Sequence, residues 1–116
     1  MNNVTQINTK IDLSKYISIT QEYEKINCNT GELLKKKISY LNPDNYKKTL
    51  FLETTDPLLE LVQKKIEIES HSSKYIKLRF NIPQREGFYY VYLIIRNLRN
   101  QNQIEEIEKF HFNAGK

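Results

Sequence analysis

Apolar and polar positions alternate most clearly over residues 76–82, where Ile76, Leu78, Phe80 and Ile82 interleave with Lys77, Arg79 and Asn81. A period of two belongs to a strand with one buried face. Residues 83–87 then carry turn chemistry, a fixed φ at Pro83 and a permissive one at Gly87. Residues 88–95 follow as a nearly unbroken apolar and aromatic run, which reads as a strand covered on both faces. The stretch 74–96 therefore predicts an antiparallel hairpin at the centre of a β-sandwich.

The rest of the chain reads in the same way. Residues 16–19 begin a first strand that continues irregularly to Ile26. Ile19, Tyr23 and Ile26 also fit a short helix, but the β-branched residues favour the strand. Residues 27–32 form a turn around Gly31. Residues 33–41 are a strand with Leu34, Ile38 and Tyr40 on one face and Lys35, Lys37 and Ser39 on the other. Lys36 falls inward, with a stem long enough to carry its ammonium to water. In residues 48–54, Leu50 and Leu52 point inward and Phe51 and Glu53 outward. Residues 58–62 are a short strand or helical turn, and Ile66 and Ile68 point inward from the next strand. Residues 104–112 are the last strand, with Phe110 and Phe112 on one face and Ile107 on the other. Seven to eight strands, with turn signals at the spacing of a sandwich, predict an all-β antiparallel fold. Its core is Ile38, Tyr40, Leu50, Leu52, Ile76, Leu78, Phe80, Val91, Leu93 and Phe110. Residues 1–12 read as a polar lead-in or linker, 13–113 as the sandwich and 114–116 as a tail.

A length of 116 residues allows one domain and one core. No apolar run approaches the roughly 20 residues of a membrane span. The first ten residues lack the apolar centre of a signal peptide, and the lone Cys28 has no disulfide partner within the chain. These features point to a cytoplasmic setting. The net charge of +4 gathers in small clusters: residues 35–37, 47–48, 64–65, and Lys74, Lys77 and Arg79. Such clusters suit a face for an acidic partner, anionic lipid or nucleic acid. They equally suit solvated strand edges, where lysine discourages edge-to-edge pairing. Glu53, Glu60, Glu67 and Glu69 dilute any single-sign field.

Catalytic and metal chemistry find little support. His71 and His111 are the only histidines, and one cysteine gives no zinc-ligand spacing. Glu105, Glu106 and Glu108 lie on both faces of a strand, so they cannot all converge and read as solvated. Gly31, Gly87 and Gly115 make no phosphate-cradling loop. The expectation is a chain that is not an enzyme, with no cofactor, metal or small-molecule substrate. Tyr75, Tyr89 and Phe51 read as outward rings near Lys77 and Arg79, a combination that can stack bases. No nucleic-acid motif accompanies them, so packing on protein is the preferred reading.

Three segments together carry a family resemblance. Lys36-Lys37-Ile38-Ser39-Tyr40-Leu41-Asn42-Pro43 has a basic pair, alternating apolar residues and Asn-Pro. Lys47-Lys48-Thr49-Leu50-Phe51-Leu52, followed by Asp56-Pro57-Leu58-Leu59, has a basic–Thr–aromatic strand and its turn. Residues 74–112 end in a polar loop and the acidic pair Glu105-Glu106 before the last strand. In order and spacing these resemble the immunoglobulin-like domains near the C-terminus of nephrocystin-4. The wider group of major-sperm-protein-like and ciliary ASH sandwiches is similar through Thr54-Thr55-Asp56-Pro57. In that group, two lysines that help bind acidic peptides stand where this chain has Phe51 and Glu53. The resemblance implies an immunoglobulin-like sandwich serving as a non-catalytic scaffold module at the cytoskeletal basal body and transition zone of the cilium. It implies partners such as nephrocystin-1 and the retinitis pigmentosa GTPase regulator-interacting protein. The expected contact residues are Lys35, Lys37, Lys74, Lys77 and Arg79. The alternative is a major-sperm-protein-like module that binds acidic peptides or anionic surfaces through Lys74, Lys77 and Arg79.

Overall fold

The computed structural model describes residues 12–115, without the side chains of residues 100–102. A 3-10 helix, Leu13–Ile19, stands where the first strand was expected to begin. Asp12 explains its start: its carboxylate accepts from the Ser14 N–H at 3.2 Å and the Ser14 hydroxyl at 2.6 Å, a side-chain cap on groups the helix leaves unpaired. Nine strands follow: β1 (Thr20–Glu22), β2 (Ile26–Asn29), β3 (Leu33–Leu41), β4 (Lys48–Thr54), β5 (Leu59–Leu61), β6 (Lys65–Ile68), β7 (Ser73–Asn81), β8 (Gly87–Asn97) and β9 (Asn100–Gly115). The expected residues 16–26 thus divide into a helix and two short strands. The expected lead-in lies outside the described residues apart from Asp12. The expected tail is not one, because β9 continues through Ala114, which is buried and pairs with Cys28 and Gly87.

The strands form two sheets. The larger runs β1-β9-β8-β4-β6, with β2 also pairing β9, and the smaller runs β3-β7-β5. β1 and β2 pair with β9 in parallel, and the remaining ladders are antiparallel. The expected all-β sandwich is therefore the fold, but its central hairpin is not. β7 pairs with β3 and β5, whereas β8 pairs with β9 and β4. Residues 82–86 carry the chain from one sheet to the other. Buried Ile82 anchors this arch, its N–H bonded to the Glu32 carbonyl at 2.9 Å, and the Pro83 carbonyl accepts from Gly31 N–H at 2.9 Å. The apolar sides of β7 and β8 consequently meet face to face across the core.

All of the expected core residues are buried. Phe80 packs at an angle on Phe110 and Phe112 with ring centroids 5.0 and 4.9 Å apart, while Tyr23 stacks on Phe110 at 4.8 Å. The expectation that β8 is covered on both faces holds for only part of its length. On its outer side Ile94 packs with Ile104, Ile107 and the helix residues Leu13, Tyr16 and Ile19. Beyond the helix's reach, Phe88 and Tyr90 are 75% and 63% exposed.

Candidate contact surface

The unbroken register of β3 on β7 builds the outer face of the smaller sheet. It places Lys35 opposite Arg79, Lys37 opposite Lys77 and Ser39 opposite Tyr75. Like charges directly opposite one another on a sheet face are destabilising, and here two such pairs lie side by side. On the far side of β7, Glu60 of β5 is opposite Arg79, but its carboxylate accepts from the Asn81 amide at 3.3 Å. The Arg79 Nε is buried and, among the described residues, has no hydrogen-bond partner. Lys37 Nζ lies 4.6 Å from the centre of the Tyr75 ring, a cation–π contact. Lys35, Lys37, Lys77 and Arg79 border a cleft of about 450 Å³ that Lys36, Leu78 and Val62 also line.

Of the expected contact residues, the fold brings together Lys35, Lys37, Lys77 and Arg79. Lys74 does not join them. It shares the parity of Ile76 and donates through Nζ to the Glu67 carbonyl at 2.7 Å. Other members of the basic clusters are also diverted. Lys36 turns inward and lies 5.6 Å from the centre of the Tyr23 ring. Lys48 is buried and bonded to Glu105 at 2.8 Å and Asp44 at 3.1 Å. Burial works against its charge, but these carboxylates outweigh it and hold the ammonium above the usual lysine range.

The acidic residues of β9 are not solvated as expected. Between Ile95 and Arg96 the β8 ladder slips, from Ile95↔Glu106 to Arg96↔Ile104, so Glu105 is an extra residue in a bulge. Its carboxylate accepts from Lys48, from the Asn97 amide at 3.2 Å and from the Tyr40 hydroxyl at 3.4 Å. Burial pushes the Tyr40 hydroxyl up to about 12. Glu108 is only 1% exposed and accepts from the Tyr23 hydroxyl at 2.7 Å. Burial, reinforced by hydrogen bonding with Glu106, pushes its carboxyl up to about 9. Its surroundings thus favour the neutral acid, and the Tyr23 hydroxyl fixes it against the core. Glu106 and Glu108 have the parity of Phe110, which was the available signal of their inward direction.

The remaining candidates stay apart. His111 Nε2 is 2.7 Å from a Glu22 carboxylate oxygen on the outer face of the larger sheet, while His71 occupies an exposed loop with a φ of 52°. Cys28 is half-buried, and burial raises its thiol. Among the described residues no cluster of His, Cys, Asp and Glu is placed to hold a metal ion, and no helix is long and apolar enough to cross a membrane. Tyr75 and Phe51 are exposed, but Tyr89 packs against the core and its hydroxyl donates to the Arg85 carbonyl at 2.6 Å. The expected outward trio of rings is therefore not formed, because Tyr89 has the inward parity of Val91 and Leu93.

A family model described as NPH4 Ig-like domain 4 matches residues 20–110, from β1 into β9. The chain belongs to this family. The match bears out the nephrocystin-4-type resemblance and supports a protein-interaction module. No curated protein matches the chain. Among solved structures, the ASH/PapD-like domain 7 of human CEP192 is similar at 11% identity, covering 83% of this chain and 80% of that one, with a TM-score of 0.59. SSP-19, an MSP-domain protein of Caenorhabditis elegans, is similar at 5% identity over 79% of this chain and 94% of that one, with a TM-score of 0.51. A family 123 glycoside hydrolase from Clostridium perfringens is similar at 10% identity, with a TM-score of 0.66 over 81% of this chain, but the match spans only 23% of the hydrolase. At these identities the likeness is one of fold.

Proposed function

We propose that this NPH4-family Ig-like domain is a non-catalytic protein–protein interaction module of a scaffold at the ciliary basal body and transition zone. The observation that carries this reading is the family match across residues 20–110. Among the described residues, nothing packs over the basic face of the smaller sheet, which offers a contact surface. By family resemblance, the partners are other ciliary scaffold proteins, among them nephrocystin-1 and the retinitis pigmentosa GTPase regulator-interacting protein. The test is to tag the full-length protein that carries this domain and image it in ciliated cells. Enrichment at basal bodies supports the reading, and a diffuse signal that leaves the ciliary base unlabelled overturns it.

A second reading is favoured by the crowding of Lys35 against Arg79 and Lys37 against Lys77. In that reading the same face captures an acidic peptide or anionic surface electrostatically. Binding of that kind weakens with added salt, because exposed charges are screened over roughly 8–10 Å at ordinary ionic strengths. Lys77→Glu should abolish it, whereas salt-independent binding indifferent to Lys77→Glu counts against it.

A further inference from the structure

We infer that the free edge of β3 accepts an extended acidic segment as an added strand. This inference rests on the reading of the domain as an interaction module and names the chemistry of its partner. β3 is nine residues long and pairs with β7 along its whole length without a register break. Among the described residues, nothing pairs with its other edge. The strand contains neither proline nor bulge; what guards its edge is the run of Lys35, Lys36 and Lys37, which repels another basic strand but not an acidic one. A row of unpaired backbone N–H and C=O groups is thus presented in regular extended geometry, which is the template for β-augmentation.

The side chains beside that edge define what the added strand carries. The outer side of β3 reads Leu33, Lys35, Lys37, Ser39 and Leu41, with Leu33 and Leu41 44% and 57% exposed. Residues directly opposite on paired strands lie about 4.5–5.5 Å apart. A strand added to β3 therefore sets one side chain of its own against each of these. Acidic residues match Lys35 and Lys37, a small polar residue matches Ser39, and apolar residues match the two leucines. The demand for anions comes from the β7 side, where Arg79 and Lys77 crowd the same lysines. Among the described residues the Arg79 Nε has no partner, and Glu60 is turned to Asn81. Cation crowding on one side leaves the open side of β3 as the place where carboxylates relieve it. An anionic membrane would also satisfy the lysines, but it would leave the backbone groups of the edge unused. An extended peptide uses both.

The probe is a fluorescein-labelled nonapeptide, Val-Thr-Glu-Thr-Glu-Thr-Glu-Thr-Val, whose acids serve either strand direction. Fluorescence anisotropy with the full chain should show saturable binding, and amide shifts in NMR spectra should concentrate in β3. The double variant Lys35→Glu with Lys37→Glu should weaken binding at least about tenfold. Two further peptides, each N-methylated at one alternate set of residues, test the added strand without altering the protein. One set blocks the peptide's inward hydrogen bonds and should abolish binding, and the other should be tolerated. Equal tolerance of both sets, absence of peptide binding, or capture by phosphatidylserine vesicles without peptide binding would each overturn the inference. A protein that reaches the ciliary base yet ignores the peptide refutes only the β3 site. One that binds the peptide but lies elsewhere in the cell refutes only the ciliary assignment.

Discussion

Glu108 should make the stability of this domain fall as pH rises, the reverse of the usual behaviour of a salt-bridged carboxylate. Its side chain is 1% exposed, faces the Tyr23 hydroxyl at 2.7 Å and shares the inward side of β9 with Glu106. Lys36, the inward cation of β3, lies over the Tyr23 ring. Burial raises the folded-state carboxyl from 4.5 to about 9, so the folded protein holds a proton that the unfolded chain releases. Below about pH 4.5 both states are protonated and the group is silent. Above that pH the unfolded state loses the proton first, and stability declines until the folded state loses it too. One fully linked proton corresponds to about 1.4 kcal/mol per pH unit, so the ceiling between pH 5 and pH 7 is about 3 kcal/mol. That is a sizeable part of a domain stability of ~5–15 kcal/mol.

The perturbation is Glu108→Gln, which keeps the shape and can still accept from Tyr23 but cannot ionise. Urea unfolding of both proteins at intervals from pH 5 to pH 9 measures the effect. The wild type should lose stability toward alkaline pH, and the variant should lose much less. The variant should overtake the wild type before pH 8. Contributions from other groups are common to both proteins and cancel in the difference, apart from the neighbouring Glu106. If the two proteins keep a constant stability difference across the range, Glu108 is not buried as a neutral acid and the reasoning fails.

Three other perturbations probe the same structure. Phe80→Ala removes a ring packed on Phe110 and Phe112 and should cost about 3–5 kcal/mol in urea unfolding; an unchanged midpoint would mean the inward side of β7 is misassigned. Lys48→Ala leaves the largely buried Glu105 carboxylate without its cation and should cost up to about 3 kcal/mol. Most of that loss should be recovered by adding Glu105→Gln, and strict additivity in the double-mutant cycle would argue against the ion pair. Gly31→Ala adds a Cβ at a φ of 73°, 2.5 Å from the Gln84 side chain, and should lower stability by about 1 kcal/mol as read by thermal melting.

Side-chain parity explains both what was legible in the sequence and what was misread. Lys35, Lys37, Lys77 and Arg79 were readable as outward because each stands next to an inward apolar residue, Leu34, Ile38, Leu78 or Phe80. The same rule, applied without regard to chemistry, also places Lys48 with Leu50, Glu106 and Glu108 with Phe110, and Tyr89 with Val91. Reading those polar and aromatic groups as solvated let residue type override geometry. A residue inside a paired strand has no such freedom, because turning it outward would invert every apolar neighbour as well. What parity cannot supply is the partner. Lys48 tolerates burial because a bulge on β9 delivers Glu105, and Glu108 because the link between β1 and β2 delivers Tyr23. Each of these two partners is distant in sequence. The same limit hid the arch between β7 and β8, since alternation shows which face is buried but not which sheet the strand enters. It also hid the pairing of Lys35 with Arg79 and of Lys37 with Lys77. The basic face is therefore a product of the β3–β7 register: a shift of two residues in either direction would leave only one like-charge pair, Lys35 opposite Lys77 or Lys37 opposite Arg79.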